Sequence, residues 1–469
     1  MSENGNDLLG YNRRDFLKGG SYATLMTMLG GVELFAQTNA APASVTKVPT
    51  IKIKVAVIGL GAWGREIINT LGRMPQAEIP IDADIAAICD TYKPFLKRAG
   101  NAAPAATQTD DYKTILDNKD IKAVVIATPT PNHKELALAA LKAGKHVYCE
   151  APLAGSIEDA REIALAAKAA KHLVFQAGLQ MHSDKQRLFL LPFIRTEALG
   201  QTVLARAQWH KKTSWRATSS NPEQEKALNW RLNKATSLGL IGEIGIHPID
   251  QAGWFMNRLP TAVTGFGSIN LWKDDGRDVP DTVQALIEFP GDVRMIYDAT
   301  LANSFDGDYE MLYGSYAAIM MRENRAWMFK EVDSPLLGWE VYAAKLKVFN
   351  ETGIALVAGA SKPPPVDANG QPLPLDPVTT SPLFYALNNF LLNANELTKA
   401  ADDYKASYGA DDLDGLMEEV GKTHQKQAAK RPTAGYLEGF QSAVTAVKAN
   451  EAVLSGKRIE LKPELYELK

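Results

Sequence analysis

The run GEIGIHPID (242–250) gathers three groups able to handle a proton: Glu243, His247 and Asp250. On a helix, residues three or four apart share a face, so His247 is expected beside Asp250, with Glu243 one turn earlier. A carboxylate near an imidazole holds its tautomer and raises its pKa. That equipment suits a base that takes the proton from a hydroxyl. His182, in GLQMHSD, is a second candidate base, placed just after a strand at a domain junction. The plain alternatives are a helix-buried His247 paired with Asp250 for packing and a surface-loop His182. Trp209, His210, Lys211, Lys212, Trp215, Trp230 and Arg231 crowd one region. Indole faces stack on the CH faces of sugars and cations meet hydroxyls, so Lys211, Trp230 and Arg231 are candidate substrate contacts.

These side chains need a platform, and the sequence supplies one at residues 52–90. An apolar run, Ile53 to Ile58, leads into Gly59-Leu60-Gly61-Ala62-Trp63-Gly64. A helical pattern follows with Ile67, Ile68, Leu71 and Met74 on one face, then a second apolar run that ends in Asp90. Strand, G-x-G-x-x-G, helix, strand and acid form the dinucleotide-binding fingerprint. Gly59 permits the tight turn, Gly61 lets backbone amides approach a pyrophosphate, and Gly64 lets helix and strand pack closely. Ala62 and Trp63 open the helix whose positive end faces the phosphates. Asp90 is expected to accept hydrogen bonds from a ribose diol, which favours NAD over NADP, although Lys93 and Lys97 lie close in sequence. Asp90 comes late for this motif, and a loop at PQAEIPIDAD (75–84) accounts for the delay.

Beyond Asp90 the alternation of apolar strands and helices continues through 123–127, 145–149 and 172–176. This predicts a parallel α/β sheet with its chemistry at the carboxyl ends of the strands. Thr128, Asn132 and His133 in TPTPNH, and Glu150 in CEAP, then share a rim with the glycine turn and are candidate cofactor contacts. From Gly178 onward the pattern changes to alternating strands joined by turn residues, interrupted by one helix over 242–256. A Pro-rich run, 362–382, and two helices near 383–402 and 433–455 complete the chain. The expected organisation is a Rossmann dinucleotide-binding domain over 50–177 and an α+β substrate domain over 178–469, with a large, mostly antiparallel sheet and C-terminal helices.

The 469 residues are 46% hydrophobic and 22% charged, as in soluble globular enzymes. A net charge of −3 gives no electrostatic reason to expect nucleic acid. The two cysteines, Cys89 and Cys149, end predicted strands and form no metal-binding spacing, so no metal is expected. Residues 1–41 carry Arg13-Arg14-Asp15-Phe16-Leu17-Lys18, a short, mildly apolar stretch and an alanine-rich exit. This resembles a twin-arginine export signal and is too short for a stable span, which predicts a periplasmic or secreted mature protein free of the membrane.

With these motifs in place, the chain resembles the glucose-fructose oxidoreductase / inositol dehydrogenase (Gfo/Idh/MocA) family over roughly 52–316. ATPTPNH (127–133) is similar to the family's turn beside the nicotinamide, CEAP (149–152) to its Glu-Lys-Pro element, and GEIGIHPID to the entry of its acid-x-x-x-His helix. The resemblance implies catalytic roles for His247, Glu243 and Asp250, with NAD as cofactor and a sugar or glycoside as substrate. It also implies self-association through the C-terminal sheet. Two positions depart from the pattern. The family lysine, which binds the reacting hydroxyl, is Ala151, and the family aspartate is Glu243. Lys211 or Lys212 are candidates to replace the lysine. The implied activity is oxidation of a ring hydroxyl with a tightly bound, internally recycled cofactor. One alternative is a redox-neutral glycosidase: oxidation at C3, loss of the C2 proton, elimination of the aglycone, addition of water and re-reduction. The family's NAD-dependent α-N-acetylgalactosaminidases also lack the lysine, but their motif around the histidine differs from GIHPID. A non-catalytic NAD-binding carbohydrate sensor is the lesser alternative.

Overall fold

The computed structural model describes residues 51–76, 81–196, 198–323, 325–337, 340, 345–348, 351–356, 381–409 and 411–469. The expected leader at 1–41 and most of the Pro-rich run lie outside the described residues.

The first half alternates strands and helices: β1 (Ile51–Ile58), α1 (Ala62–Arg73), β2 (Ile81–Cys89), α2 (Lys93–Ala102), β3 (Thr107–Thr109), α3 (Tyr112–Asp117), β4 (Ala123–Ile126), α4 (His133–Lys142), β5 (His146–Cys149), α5 (Ile157–Ala169) and β6 (Phe175–Ala177). The six strands form a sheet in the order β3-β2-β1-β4-β5-β6, and every pair is parallel. The order reverses between β1 and β4, the switch point at which such sheets bind ligands. Ser156 caps α5, its side chain accepting from the Asp159 amide at 3.1 Å. The last part of the expected loop at 75–84 is strand. β2 already begins at Ile81, paired with Ile51, so residues 81–84 are strand.

The second half contains α6 (Lys185–Arg195), β7 (Thr202–His210), α7 (Pro222–Leu228), α8 (Gly239–Glu243), α9 (Ile246–Met256), β8 (Ala262–Ser268), β9 (Thr282–Glu288), β10 (Arg294–Thr300), β11 (Asp308–Gly314), β12 (Ala317–Arg322), β13 (Arg325–Lys330), β14 (Lys345–Val348), β15 (Glu351–Ala355), α10 (Pro382–Tyr408), α11 (Leu413–Lys430), α12 (Tyr436–Ser455) and β16 (Ile459–Glu460). Its ten strands make one sheet, antiparallel except for the β7–β10 pair. The single helix expected over 242–256 is two. Pro248 has no amide for a continuous helix, so α9 restarts at Ile246 and places the proline in its first turn, where that amide is not needed. Gly245 at the break passes so close to the chain that a Cβ would lie 2.4 Å from the Ile241 carbonyl and 2.9 Å from the Tyr297 ring.

The expected division at 178 leaves out the helices that cover one face of the first sheet. A parallel sheet must be covered on both faces. α10 returns from the far end of the chain to cover one of them: Leu383, Leu387, Phe390 and Leu391 pack in one core with Val55, Val57, Ile67, Leu71 and Tyr148. α11 adds Leu416 and Val420 to the same core. The other face shares its core with the second sheet through α12, whose Phe440, Ala443 and Val444 belong to that cluster. Two of the C-terminal helices therefore build the first domain. Among the described residues no helix is long and apolar enough to cross a membrane.

Candidate active site

The glycine turn has the three expected geometries. Gly59 has φ +93°, and a Cβ there would lie 2.6 Å from the Ala127 carbonyl and the Thr128 amide. A Cβ on Gly64 would lie 1.9 Å from the Gly59 carbonyl oxygen. Gly61 differs: a Cβ would meet nothing nearer than the Phe95 ring at 3.9 Å. At this position the missing side chain leaves open space instead of making room for the protein's own backbone. α1 begins there with no side-chain cap and no acid in its first turn. Its leading amides are thus left to an anion, which fits the pyrophosphate of a dinucleotide. Asp90 closes the turn. Its carboxylate accepts from the Leu60 amide and the Tyr92 amide, each at 2.7 Å, and each oxygen keeps a lone pair for a ribose hydroxyl. Burial pushes the Asp90 carboxyl up, against the pull of those two amides.

Across the switch point the rim is held by His133. Its ring is buried, with Nδ1 2.9 Å from the Pro152 carbonyl and Nε2 2.9 Å from the Thr128 carbonyl. The ring ties the two rim loops together, both of its nitrogens facing the protein's own carbonyls. Asn132 beside it is exposed, and the Thr128 hydroxyl is buried without a hydrogen-bond partner among the described residues.

Glu150 is 7% exposed, and burial pushes its carboxyl up to about 7. Trp63 Nε1 donates to its Oε1 at 2.8 Å, which bridges the glycine turn to β5. Its second oxygen occupies space left by Gly178, where a Cβ would lie 2.4 Å away. Ala151, next in the chain, offers no polar group.

The second domain meets this rim through Glu243. Thr130 Oγ1 donates to Glu243 Oε2 at 3.1 Å, and the Leu238 amide donates to Oε1 at 3.1 Å. Burial pushes the Glu243 carboxyl up and the Arg231 charge opposes it. Glu243 therefore docks α8 on the cofactor rim, and the expected contact with His247 is replaced by these bonds. His247 is the second residue of α9, two positions past the break at Gly245. Among the described residues its ring has no hydrogen-bond partner, and burial holds its pKa down, opposed by the charge of Asp250.

The expected His247–Asp250 pair also needs correction. Asp250 Oδ2 lies 2.8 Å from His182 Nε2, and its Oδ1 accepts from Ser442 at 2.6 Å. The His182 ring stacks on Trp254 with centroids 4.4 Å apart. Both acidic contacts come from three-dimensional packing that spacing along one helix does not reveal. The pair lines a cavity of about 1300 Å³ between α6, α9 and α12. The glycine turn, Asp90, Glu150 and His247 are not among its lining residues.

The aromatic cluster is used by the protein itself. The Arg231 guanidinium lies over Trp230 at 4.9 Å and over Trp215 at 5.5 Å. Lys211 and Lys212 are exposed, whereas Arg231 acts electrostatically on both Glu150 and Glu243. Cys89 and Cys149 are free and buried, and burial pushes both thiols up.

Residues 53–178 match the profile of an oxidoreductase family with an NAD-binding Rossmann fold, GFO_IDH_MocA, and residues 192–319 match the GFO/IDH/MocA C-terminal domain. The levoglucosan dehydrogenase of Pseudarthrobacter phenanthrenivorans is 29% identical over 207 residues, which are 44% of this chain and 51% of that protein. The inositol 2-dehydrogenase of Rubrobacter xylanophilus is 31% identical over 208 residues, 44% and 52% of the two chains. A glycosyl hydrolase family 109 protein of Shewanella is 28% identical over 243 residues, 47% and 50%. The chain thus spans about half the length of these curated relatives. Two solved structures share the fold. Levoglucosan dehydrogenase with NADH and levoglucosan superposes with TM-score 0.61 at 20% identity, covering 87% of this chain and 99% of that one. The aldose-aldose oxidoreductase of Caulobacter crescentus with glycerol gives 0.58 at 19%, covering 87% and 100%.

Proposed function

We propose, from the premise that the chain belongs to the Gfo/Idh/MocA oxidoreductase family, that it oxidises a ring hydroxyl of a sugar or glycoside with tightly bound NAD. The carrying observation is the Thr130–Glu243 hydrogen bond, which presses the helix pair bearing His247 onto the strand ends. NAD, when bound, supplies the acceptor and later the donor of the hydride. The amides of the glycine turn and Asp90 hold its phosphates and ribose. His247, its pKa held down and its ring without a hydrogen-bond partner among the described residues, takes the hydroxyl proton at a ring nitrogen. Glu150 carries a carboxyl that both gains and loses a proton near neutral pH, which suits a relay from the buried rim.

Ala151 favours a second reading. Without a lysine at that position the site has lost one stabiliser of simple hydroxyl oxidation, and a family 109 glycosyl hydrolase is among the relatives. In that reading the same base removes a proton next to the oxidised carbon, and the aglycone leaves.

One assay separates the readings. The purified protein is incubated, without added NAD, with levoglucosan and a panel of 4-nitrophenyl α- and β-glycosides. Cofactor reduction without nitrophenol supports the oxidoreductase, and nitrophenol over many turnovers supports the glycosidase. Neither signal leaves the sensor. Mass spectrometry of the denatured protein is expected to release NAD(H). NADP in its place, or a protein that stays empty when NAD is supplied, defeats the cofactor assignment.

The leader supports export of the folded, loaded protein to the periplasm, where an internally recycled cofactor needs no partner dehydrogenase. Changing Arg13 and Arg14 together to Lys is expected to retain it in the cytoplasm, and normal export of that variant refutes the reading. Exposed Phe266 and Ile296 on the second sheet support self-association there, which sedimentation tests.

A further inference from the structure

We infer that the cavity between α6, α9 and α12 is a second binding site, separate from the nucleotide rim, for a neutral, largely apolar molecule that carries a hydroxyl group. The cavity measures about 1300 Å³ and is lined by His182, Asp250 and Ser442, which the chemistry proposed above does not use. Binding there is independent of the sugar-hydroxyl reading.

Helix α9 has two faces with different uses. Ile246, Ile249, Asp250, Gly253, Trp254 and Asn257 all line the cavity, the i, i+3, i+4 pattern of a single stripe. His247 is one position on from Ile246, about 100° round the helix, and is not among the lining residues. Protein interiors hold few voids larger than a water molecule, and ligand pockets run to roughly 300–1,000 Å³. The space beside α9 is therefore on the scale of a ligand, not of a packing defect. Its walls are fixed by the protein's own bonds. Tyr466 donates to the Pro260 carbonyl at 3.0 Å, the Leu461 amide to the Thr261 carbonyl at 2.8 Å, and Ser183 to the Pro432 carbonyl at 3.1 Å. At the end of α9 the chain turns back so closely that a Cβ on Gly253 would lie 2.8 Å from the Arg258 carbonyl oxygen. The site is thus preformed.

The lining groups name the ligand. His182 is 6% exposed, and its Nε2 faces Asp250 while its ring stacks on Trp254. That leaves Nδ1, without a hydrogen-bond partner among the described residues, for the cavity that His182 lines. Asp250 takes the Nε2 proton, so Nδ1 accepts when the ring is neutral and donates when it is charged. A hydroxyl serves both states, because it donates and accepts; a carbonyl serves one. Charges of both signs act on the ring: Asp250 and Glu438 favour its charged form and Arg195 opposes it. A charged ligand would find no net counter-charge there to offset its desolvation. Leu188 and Leu191 from α6, Ile249 and Trp254 from α9 and Leu437 from α12 give apolar walls for a hydrocarbon body. Nucleophilic chemistry has no support, since Ser442 donates to Asp250 and not to an imidazole that could activate it.

The test uses the full chain, with and without NAD. The probes share one body and differ in the head: 4-methylcyclohexanol, 4-methylcyclohexanone, 4-methylcyclohexanecarboxylate and methylcyclohexane, at neutral pH. Binding is read by titration calorimetry and tryptophan fluorescence, and folding by circular dichroism. The alcohol is expected to bind one to one, with the same Kd whether or not NAD is present. It should bind about tenfold more tightly than the hydrocarbon, the worth of one hydrogen bond to a buried group, and more tightly than the carboxylate. In His182→Gln the amide nitrogen reaches the place of Nε2 beside Asp250 and nothing stands at Nδ1. This variant is expected to keep hydrocarbon binding and to lose the preference for the alcohol. Leu191→Trp fills the cavity and is expected to abolish binding of every probe. Leu437→Trp, at a wall position 38% exposed, gives the same readout should the first filled variant fail to fold. An alcohol that does not bind, binds no better than the hydrocarbon, competes with NAD, or binds unchanged in a folded, filled variant overturns the site. So does a carboxylate as tight as the alcohol, or an undiminished alcohol preference in His182→Gln. Each of these results leaves the functional reading standing, because none of them measures turnover.

Discussion

Two histidines flank helix α9, and they are opposites. His182 is tied on both sides of its ring system: Asp250 holds Nε2 and Trp254 stacks on the face. Burial opposes its charge, but Asp250 outweighs burial and holds its pKa above the ordinary value. His247 is half-buried, has no hydrogen-bond partner among the described residues, and is held below the ordinary value by the desolvation of its ring. A general base must be neutral and must have a free lone pair, so the poorly connected histidine is the better catalyst and the well-connected one the better brace. Spacing along the helix suggests the reverse, because it puts Asp250 next to His247.

The largest test of this contrast is His247→Ala. Turnover is expected to fall on the order of 10²–10⁴, as loss of a general base does, with NAD still bound at the separate glycine turn. Near-normal steady-state rates in that variant would falsify the assignment and move attention to His182. The reverse experiment is Asp250→Ala. It strips a buried imidazole of its counter-charge and is expected to cost about 3–5 kcal/mol of stability in urea unfolding. Turnover per folded molecule should change far less than in His247→Ala, and a comparable loss breaks the division of labour.

The pH dependences should also diverge. His182 has a raised folded pKa, so it contributes stability that is fully present below its ordinary value of 6.5 and is lost as pH rises through the folded value. The stability gap between wild type and His182→Gln should be widest in mild acid and close on the alkaline side. His247 has a depressed pKa, so its contribution is present above 6.5 and is lost as pH falls through the folded value. The acid limb of the turnover profile should therefore lie below pH 6.5, and a limb above it contradicts a neutral, free His247. The smallest effect belongs to Glu243→Gln. It keeps the shape of the docking contact, so about 1 kcal/mol of stability is expected to go with the weakened bonds to Thr130 and Leu238. A loss of turnover as deep as that of His247→Ala would mean that Glu243 tunes the base after all.

Local chemistry made much of the molecule readable. The glycine turn, the strands flanking it, the Ser156 cap and the alternating strands of the second sheet depend on neighbours a few residues apart. What escaped depends on partners far along the chain. Asp250 could be matched with His182 or Ser442 only in three dimensions. Arg231 was visible as a cation near tryptophans, but not as a charge that acts on both Glu150 and Glu243. β16 is two residues long, too short for an alternating pattern to show. α11 was missed because Gly415 and Gly421 interrupt it and its buried side is only Leu416, Val420, Thr423 and Gln427. The break at Gly245 was signalled by Pro248, a residue tolerated in the first turn of a helix and seldom deeper.

The return of α10 to the first sheet also bears on the order in which this protein comes into being. When a ribosome has delivered residue 177, all six parallel strands exist, yet Val55, Ile67, Leu71 and Tyr148 still lack the covering that Leu387 and Phe390 provide. The nucleotide-binding half, first to be synthesised, is thus among the last to be finished. A nascent chain stalled anywhere before residue 400 presents that apolar face to chaperones and to other chains. The first sheet therefore closes its core only when α10 and α11 have been made.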